Sequence, residues 1–506
     1  MMAVRKSIPG YSIKKLLDGF VDCSLLPEIL VSGLSADSRR IKPGYLFFVQ
    51  TISGKSNTEF INDAVRNGAV AVIADHSAVP ETLLCPIPVI RVNELGKKTG
   101  EIASRFYGYP TDDMYVIGIT GTNGKSTVSH LLAHVLTDTE RGRCGLIGTL
   151  GHGQFEQLTA CANTTPEPIT LQSLLAEMQS NKTRNVVIEV SSHGLDQYRV
   201  SGVRFDMAVF TNLSRDHLDY HGTFENYSDT KLRLFTEFPI RHAVVNLDDP
   251  FGADLIEKLP PTVKCTGYTL DEQIKKRFSG RLPVVSGTIK NISLGEMQMD
   301  IDSPRGNTLL TTALFGRFNA YNLLAALSAL CLLDLRFQDV IHRLSGYKNI
   351  SGRMECMNKE NSPRIVVDFA HTPDALEQVL HVLRSVCSGK LYCVFGCGGN
   401  RDRGKRREMG KIADHYADSI VLTSDNPRYE NPDDIIQDIE EGISRHSSVT
   451  IEPDREVAIR NTVMSASTAD IILVAGKGHE GYQEISGVRK PFSDQKIIAE
   501  CLEQYQ

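Results

Sequence analysis

The stretch YVIGIT at 115–120 runs straight into Gly121-Thr122-Asn123-Gly124-Lys125-Ser126-Thr127, and an amphipathic, helix-like pattern follows. A β-branched run, a glycine turn and a helix in that order commit the surrounding chain to an α/β arrangement. The glycines let backbone N–H groups wrap phosphate oxygens, and the helix N-terminus adds positive partial charge. Lys125 is placed to neutralise β/γ-phosphate charge, and Ser126 to ligate Mg²⁺. The spacing is tighter than the general G-x-x-x-x-G-K-[ST] loop, because Ile119 stands where the first glycine falls. A phosphate loop by itself names no reaction; a kinase, a nucleotide switch and a ligase all use one.

The rest of the chain narrows the choice. Its 506 residues suffice for about three domains. With 41% hydrophobic and 23% charged residues, it reads as globular. A net charge of −6 argues against nucleic acid as a partner. No apolar run reaches the roughly 18 residues of a membrane span. The longest, Leu323–Leu333, is closed by Asp334 and Arg336 and reads as a buried helix. The N-terminus has no continuous apolar segment, so no signal peptide is expected. The eleven cysteines show no pairing pattern, and Cys393 and Cys397 have no second Cys/His pair nearby. A reduced, cytoplasmic protein is the expectation.

Short β-branched runs alternate with helical patterns along the whole chain. Three blocks are expected: residues 1–112, 113–349 and 350–506. The first holds strands at 69–75 and 88–92. The second adds strands at 185–190, 207–213 and 242–248, antiparallel strands between Val284 and Asp302, and a long helix near Asn319–Asp334. The third has strands at 364–369, 391–397, 419–425 and 471–476. Its helices are expected at Asp374–Val386, Lys405–Ala417, Asp433–Ser444 and Asp494–Gln504. This is the pattern of a Rossmann-like, doubly wound sheet with its ligand crevice at the carboxyl ends of the strands.

Nine segments, the phosphate loop first among them, occur in order: GITGTNGKST, NTTPEP (163–168), EVSSHGL (189–195), NLSRDHLDYHG (212–222), SGRME (351–355), DFAHTPDAL (368–376), GCGGNRDRGKR (396–406), DNPRYE (425–430) and GKGHE (476–480). Together they resemble the Mur ligases of peptidoglycan synthesis, strongly over about 115–495 and weakly before. The resemblance implies three α/β domains: an N-terminal UDP-binding domain, a central ATPase-like domain with a mostly parallel sheet, and a C-terminal amino-acid-binding domain. It implies ATP-dependent amide formation through an acyl phosphate, on a UDP-N-acetylmuramoyl-dipeptide. Mg²⁺ and ATP are the implied cofactor and co-substrate. Small molecules are the expected partners, with no nucleic acid, no membrane and a monomeric enzyme. Because residues from three blocks serve one reaction, domain closure is expected, which would keep water from the acyl phosphate.

The same resemblance assigns residues. Ser126, Glu189 and His217 would hold Mg²⁺, with Glu189 and His217 read as ending adjacent strands. Lys231, in isolation a helix-surface lysine, corresponds to a carbamylated lysine whose anion bridges toward a second metal ion. Thr164, Thr165, Ser191, Gln197 and Arg199 would hold the UDP-substrate, Arg199 through its bidentate fork. Asn319, Arg353, Asp368 and His371 would face the nucleotide. Phe369 replaces the family's usual Tyr and keeps the ring. In the first block Ser38, in Ala36-Asp37-Ser38-Arg39, matches a short uridine-contacting motif. The following loop, Gly54-Lys55-Ser56-Asn57-Thr58-Glu59-Phe60-Ile61, is shorter than the family's and lacks its His and Asp, leaving Lys55 as the phosphate contact.

The third block is expected to choose the amine. Asp425-Asn426-Pro427-Arg428 is a turn after a strand. In the family, Arg at the fourth position goes with meso-2,6-diaminopimelate rather than L-lysine. Diaminopimelate carries a carboxylate beside its distal amine, which Arg428 can pair; L-lysine would bring an ammonium there instead. By resemblance Arg401 and Gly476 join in binding the amino acid, and Glu480 takes an amine. The competing readings are a lysine-adding ligase, a folylpolyglutamate-synthetase-like ligase, and a nucleotide-hydrolysing switch that would not need Arg428 and Glu480 together.

Overall fold

A computed structural model describes residues 10–49, 57–137, 142–161, 163–348, 350–445 and 449–505. The fold is mixed α/β with largely parallel sheets. The chain divides into two compact units: Met1–Gly118, Leu136–Asp206 and Glu237–Ile240 in one, Ile119–Val135, Met207–Thr236 and Arg241–Gln506 in the other.

The first unit carries a four-stranded parallel sheet in the order Gly33–Ser35, Tyr45–Val49, Ala71–Asp75, Val89–Val92. Only the last two of these strands are legible as such in the sequence. Strand periodicity divides the side chains between two cores. Leu46, Phe48, Ala71, Ile73, Ile90 and Val92 pack with Leu16, Leu17, Ile102 and Phe106. Phe47, Val49, Val72 and Ala74 pack with Ile61 and Ala64 of the helix Asn57–Arg66. Burial on both faces explains why Tyr45–Val49 and residues 71–74 read as unbroken apolar runs. The same unit holds Arg143–Gly148, parallel to Thr183–Glu189, and an antiparallel extension through Gly151–Gln154 and Gln157–Thr159.

In the second unit Met207–Phe210, His242–Asn246, Lys264–Thr269 and Val284–Ser293 pair in parallel, each beside the next. The sheet then continues as an antiparallel meander through Glu296–Ser303 and Gly306–Thr312. The apolar run near 323–333 is indeed a buried helix, Arg317–Cys331, with eleven of its fifteen residues buried. Among the described residues no helix is long and apolar enough to cross a membrane.

The same unit contains a six-stranded sheet in the order Glu355–Met357, Arg364–Asp368, Ile471–Ala475, Leu391–Phe395, Ser419–Leu422, Val449–Ile451. All pairs are parallel except the first. Helices Pro373–Val386, Gly404–Tyr416 and Asp494–Leu502 fall where the pattern predicts, and Pro432–Glu440 ends four residues early. On one face Ile365, Val367, Val394, Ile472 and Val474 pack with Ile459, Val463, Ile497 and Ile498. Beneath that face lies a fully buried ion pair. Arg455 Nε and Nη2 each donate to Asp494 at 2.8 Å, and Nη2 also donates to Ala475 O at 2.9 Å. The pair therefore props the strand end that leads into Gly476.

Removing one partner of a buried pair leaves an uncompensated charge. Asp494→Ala is expected to cost about 3–5 kcal/mol, read as a lower urea midpoint of the full chain. A midpoint within error of the unsubstituted protein would contradict this role for the pair.

Candidate active site

The phosphate loop is held from below by the chain that leaves the strand Met207–Phe210. Thr122 N donates to Asn212 O at 2.8 Å, and Asn123 N to Asn212 Oδ1 at 2.9 Å. Thr211 Oγ1 and Asn212 Nδ2 donate to Asn123 O at 2.7 and 3.1 Å. Ser214 N donates to Thr122 Oγ1 at 2.9 Å, and that hydroxyl also meets the Tyr227 hydroxyl at 3.0 Å. The sequence extended the strand to residue 213. It stops at Phe210 because these backbone groups serve the loop instead. Gly124 sits at φ +85, and a Cβ there would lie 2.3 Å from Asn322 Oδ1. Lys125 folds back on the loop, donating to the carbonyls of Gly121 and Thr122 at 2.9 Å each. Ser126 and Thr127 are buried at the helix start.

Lys231 is not a surface lysine. It is 1% exposed, its Nζ donates to Gly121 O at 2.9 Å and lies 4.5 Å from the Tyr227 ring centroid. Burial, with the nearby charge of Lys125, pushes its pKa well below the ordinary lysine value. The helical spacing of DTKLR gave no sign of this.

Arg353, Asp368 and His371 come together around Phe369. The Arg353 guanidinium carbon lies 4.6 Å from the Phe369 ring centroid, and its Nη2 reaches Ser126 Oγ at 3.4 Å. The ring retained at Phe369 thus supports the arginine. Asp368 Oδ2 accepts from Met354 N at 2.7 Å, and burial raises its pKa to about 6 against the pull of Arg353. His371 Nδ1 lies 2.8 Å from Phe369 O. Burial and the charge of Lys405 push the His371 pKa down to about 4. Asn319 is committed to its own helix, donating to Phe315 O at 3.0 Å and accepting from Asn322 Nδ2 at 3.1 Å.

A cavity at the carboxyl ends of the C-terminal strands gathers His217, His371, Arg401, Asp425, Asn426, Arg428, Gly476 and Glu480. Pro427 shapes the turn behind them, its carbonyl accepting from Glu430 N at 3.0 Å. Arg428 adopts φ +53 and donates Nη1 to Gly399 O at 2.8 Å. Its backbone pairs with the hairpin Tyr482–Ile485/Val488–Pro491, Arg428 N to Glu484 O at 3.0 Å and Ser486 N to Arg428 O at 2.6 Å. Gly476 sits at φ +108, and a Cβ there would stand 2.6 Å from Asp425 Oδ2, so only glycine fits beside that carboxylate.

His217 corrects the sequence reading. It does not end a strand; it lies seven residues past Phe210, at φ +54, capping the short helix Leu218–His221. Its Nε2 is 3.3 Å from Asp216 Oδ2, and its N–H donates to Asp216 Oδ1 at 2.9 Å. Burial disfavours ionisation of Asp216, but the charges of His217, His371 and Lys405 outweigh it and hold its pKa below the usual carboxylate value. Asp216, Asp219, Asp402 and Lys405 line the cavity and were not singled out from sequence, although all lie inside the quoted NLSRDHLDYHG and GCGGNRDRGKR segments.

In the first unit five of the sugar-nucleotide candidates, Thr164, Thr165, Ser191, Gln197 and Arg199, form one connected network. Thr165 Oγ1 donates to Glu189 O at 2.8 Å and lies 3.1 Å from Ser191 Oγ. Arg199 Nη1 donates to Thr165 O at 2.9 Å, and its Nε and Nη2 grip Gln197 Oε1. Thr164 meets Thr149, a residue the sequence did not point to. Thr149 donates its N–H and hydroxyl to the two oxygens of Glu189, at 3.2 and 2.9 Å. Glu189 does end its strand and is fully buried. Ser38 is buried in a 3-10 turn capped by Asp37. Lys55, with Gly54 and Ser56, lies outside the described residues.

Among the described residues no three His, Cys, Asp or Glu side chains converge as a metal-ligand group. The hydroxyl of Ser126, buried at the start of the helix that follows the loop, is an oxygen ligand of the kind Mg²⁺ takes beside phosphates and water.

Residues 119–330 match the Mur ligase middle domain, and 352–478 match the family described as Mur ligase, glutamate ligase domain. A UDP-N-acetylmuramoyl-L-alanyl-D-glutamate--2,6-diaminopimelate ligase of Coxiella burnetii is 43% identical over 96% of this chain and 98% of its own. The ligase of the same name from Chromobacterium violaceum is 42% identical over 93% and 94%. A solved structure of a UDP-N-acetylmuramoyl-L-alanyl-D-glutamate--2,6-diaminopimelate ligase superposes with a TM-score of 0.69 at 34% identity, covering 98% of this chain and 99% of that one. The order of segments, the phosphate loop and the matched length agree: the chain belongs to the Mur ligase family.

Proposed function

We propose that the chain is an ATP-dependent ligase that joins meso-2,6-diaminopimelate to UDP-N-acetylmuramoyl-L-alanyl-D-glutamate in cytoplasmic peptidoglycan precursor synthesis. One observation carries the choice of amino acid. Arg428 and Arg401 line the same cavity as Asp425 and Glu480. Cations and anions interleave around that space, which Asp216, Asp219, Asp402 and Lys405 also line; such a mixed lining complements a molecule with two carboxylates and two ammonium groups, and the DNPR turn places Arg428 among them. The relatives' names support the same reading. On it, residues 1–112 serve the UDP end, 113–349 the ATP and 350–506 the amino acid.

The residues divide the work as follows. With the amides of Thr122 and Asn123 spent on Asn212, those from Gly124 to Ser126 receive the triphosphate, and Lys125 exchanges the carbonyls of Gly121 and Thr122 for phosphate oxygens. Arg353, steadied by Phe369, meets the γ-phosphate. The substrate carboxylate attacks that phosphorus; the new C–O–P bond forms as the bond to the β-phosphate oxygen breaks, and ADP leaves. The diaminopimelate amine, once deprotonated, attacks the acyl carbon, and the tetrahedral intermediate collapses with loss of phosphate. Thr164, Thr165, Ser191, Gln197, Arg199 and Ser38 hold the sugar-nucleotide peptide. Ser126, Glu189, His217 and carbamylated Lys231 would hold Mg²⁺, which neutralises phosphate charge. Carbamylation needs an unprotonated amine, and burial beside Lys125 favours that form of Lys231.

The assignment is tested by an acceptor panel: product is expected with meso-diaminopimelate and not with L-lysine or L-ornithine, and phosphate release should need both the UDP-substrate and the amino acid. Arg428→Ala is expected to remove about 2 kcal/mol or more of charge-assisted binding, roughly a thirtyfold rise in diaminopimelate KM; an unchanged KM would remove the residue from the site. Gly124→Ala meets both a left-handed backbone and the Asn322 side chain. ATP affinity, by titration calorimetry, is expected to fall about a hundredfold. Stripping dissolved CO₂ should lower turnover and bicarbonate should restore it, whereas Lys231→Ala should not respond; equal activity with and without CO₂ would rule out the carbamate.

A further inference from the structure

Lys477 follows Gly476 at the end of the strand Ile471–Ala475, and its side chain is completely buried. It does not line the cavity; Asn426 and Glu480, which do, accept its hydrogen bonds, and its Nζ also lies 5.7 Å from the Tyr482 ring centroid. Lys477 Nζ lies 3.1 Å from Glu480 Oε2 and 3.1 Å from Asn426 Oδ1. Asn426 Nδ2 closes the triangle, donating to the same Glu480 Oε2 at 2.8 Å.

This arrangement has directional consequences. Asn426 Oδ1 also accepts from Glu484 N at 2.9 Å, so two donors fix which way its amide points. The Asn426 NH₂ must then face Glu480. Both bonds to the Glu480 carboxylate fall on Oε2, none of the described residues bonds Oε1, and the side chain keeps 20% exposure. One oxygen is anchored inside the protein and the other is left for the cavity. The backbone alone would not hold this geometry, because Gly476 and Gly478 on either side of Lys477 are both left-handed, at φ +108 and +52. An ammonium taken wholly out of water is costly unless it is fully paired, and here its partners are the groups that face the incoming amino acid.

We propose that Lys477 is a positioning residue for amine recognition. It fixes Asn426 and aims the free oxygen of Glu480 at an ammonium of the acceptor amino acid. The inference rests on the ligase reading above and adds to it the group that orients the amine-binding carboxylate.

A double-mutant cycle tests it in the full-length enzyme, with KM for diaminopimelate as the readout and KM for ATP as the control. Lys477→Met is expected to raise the diaminopimelate KM about tenfold or more in the native background and less than about threefold in a Glu480→Gln background, with the ATP KM moving less than about twofold throughout. A lysine that merely fills space would add the same factor in both backgrounds, and that result, or no rise at all, overturns the inference while leaving the ligase reading intact. If the unsubstituted enzyme forms no diaminopimelate-dependent product, the ligase reading falls and the inference with it. Should Lys477→Met fail to fold by circular dichroism, Lys477→Gln, which keeps a donor for Asn426, enters the same cycle and is judged by the same non-additivity.

Discussion

The pairing of the phosphate loop with the segment Thr211–Ser214 is the constraint on which the nucleotide end of the molecule depends. Loop amides can serve phosphate only if the loop's remaining polar groups are satisfied elsewhere. Asn212 does most of this, with its carbonyl, its side-chain oxygen and its NH₂ all spent on Thr122 and Asn123. Lys231 then reaches the same loop through Gly121 O. A lysine buried beneath a cation-lined loop carries its proton poorly, so its amine and its position come from one packing arrangement.

Charge is handled differently at the cavity of the C-terminal sheet. There, anions and cations interleave. Asp216 stays ionised among His217, His371 and Lys405. Glu480 is balanced by Lys477. Below them the Arg455–Asp494 pair supports the strand that carries Gly476. These groups make a polar pocket rigid by using up most of its hydrogen-bonding capacity internally, leaving only selected atoms free for a ligand.

Much of this was legible in the sequence. Strands with apolar runs and their following helices announce the C-terminal sheet, and the strand–glycine loop–helix announces the phosphate site. What escaped were features with no local signature. The strands Gly33–Ser35 and Tyr45–Val49 are short or lack alternation. Lys231 looks like any helical lysine until the tertiary fold buries it. The apolar run through Leu213 reads as a longer strand than forms; the loop's demand for hydrogen bonds ends it at Phe210, and His217 falls in the segment beyond. Thr149, Asp216 and Lys477 act through neighbours distant in sequence or through burial, and neither is visible in spacing.

The hairpin beside Arg428 carries an evolutionary implication. Because the arginine's own backbone forms a rung against Glu484 and Ser486, the guanidinium is mounted on a ribbon that turns at Ser486 and Gly487. Lengthening or re-twisting that ribbon would tilt the arginine without altering it. If Arg428 selects the acceptor, preference can drift through insertions in that turn, and two homologues with identical DNPR turns need not share the same tolerance for unnatural diamino acids.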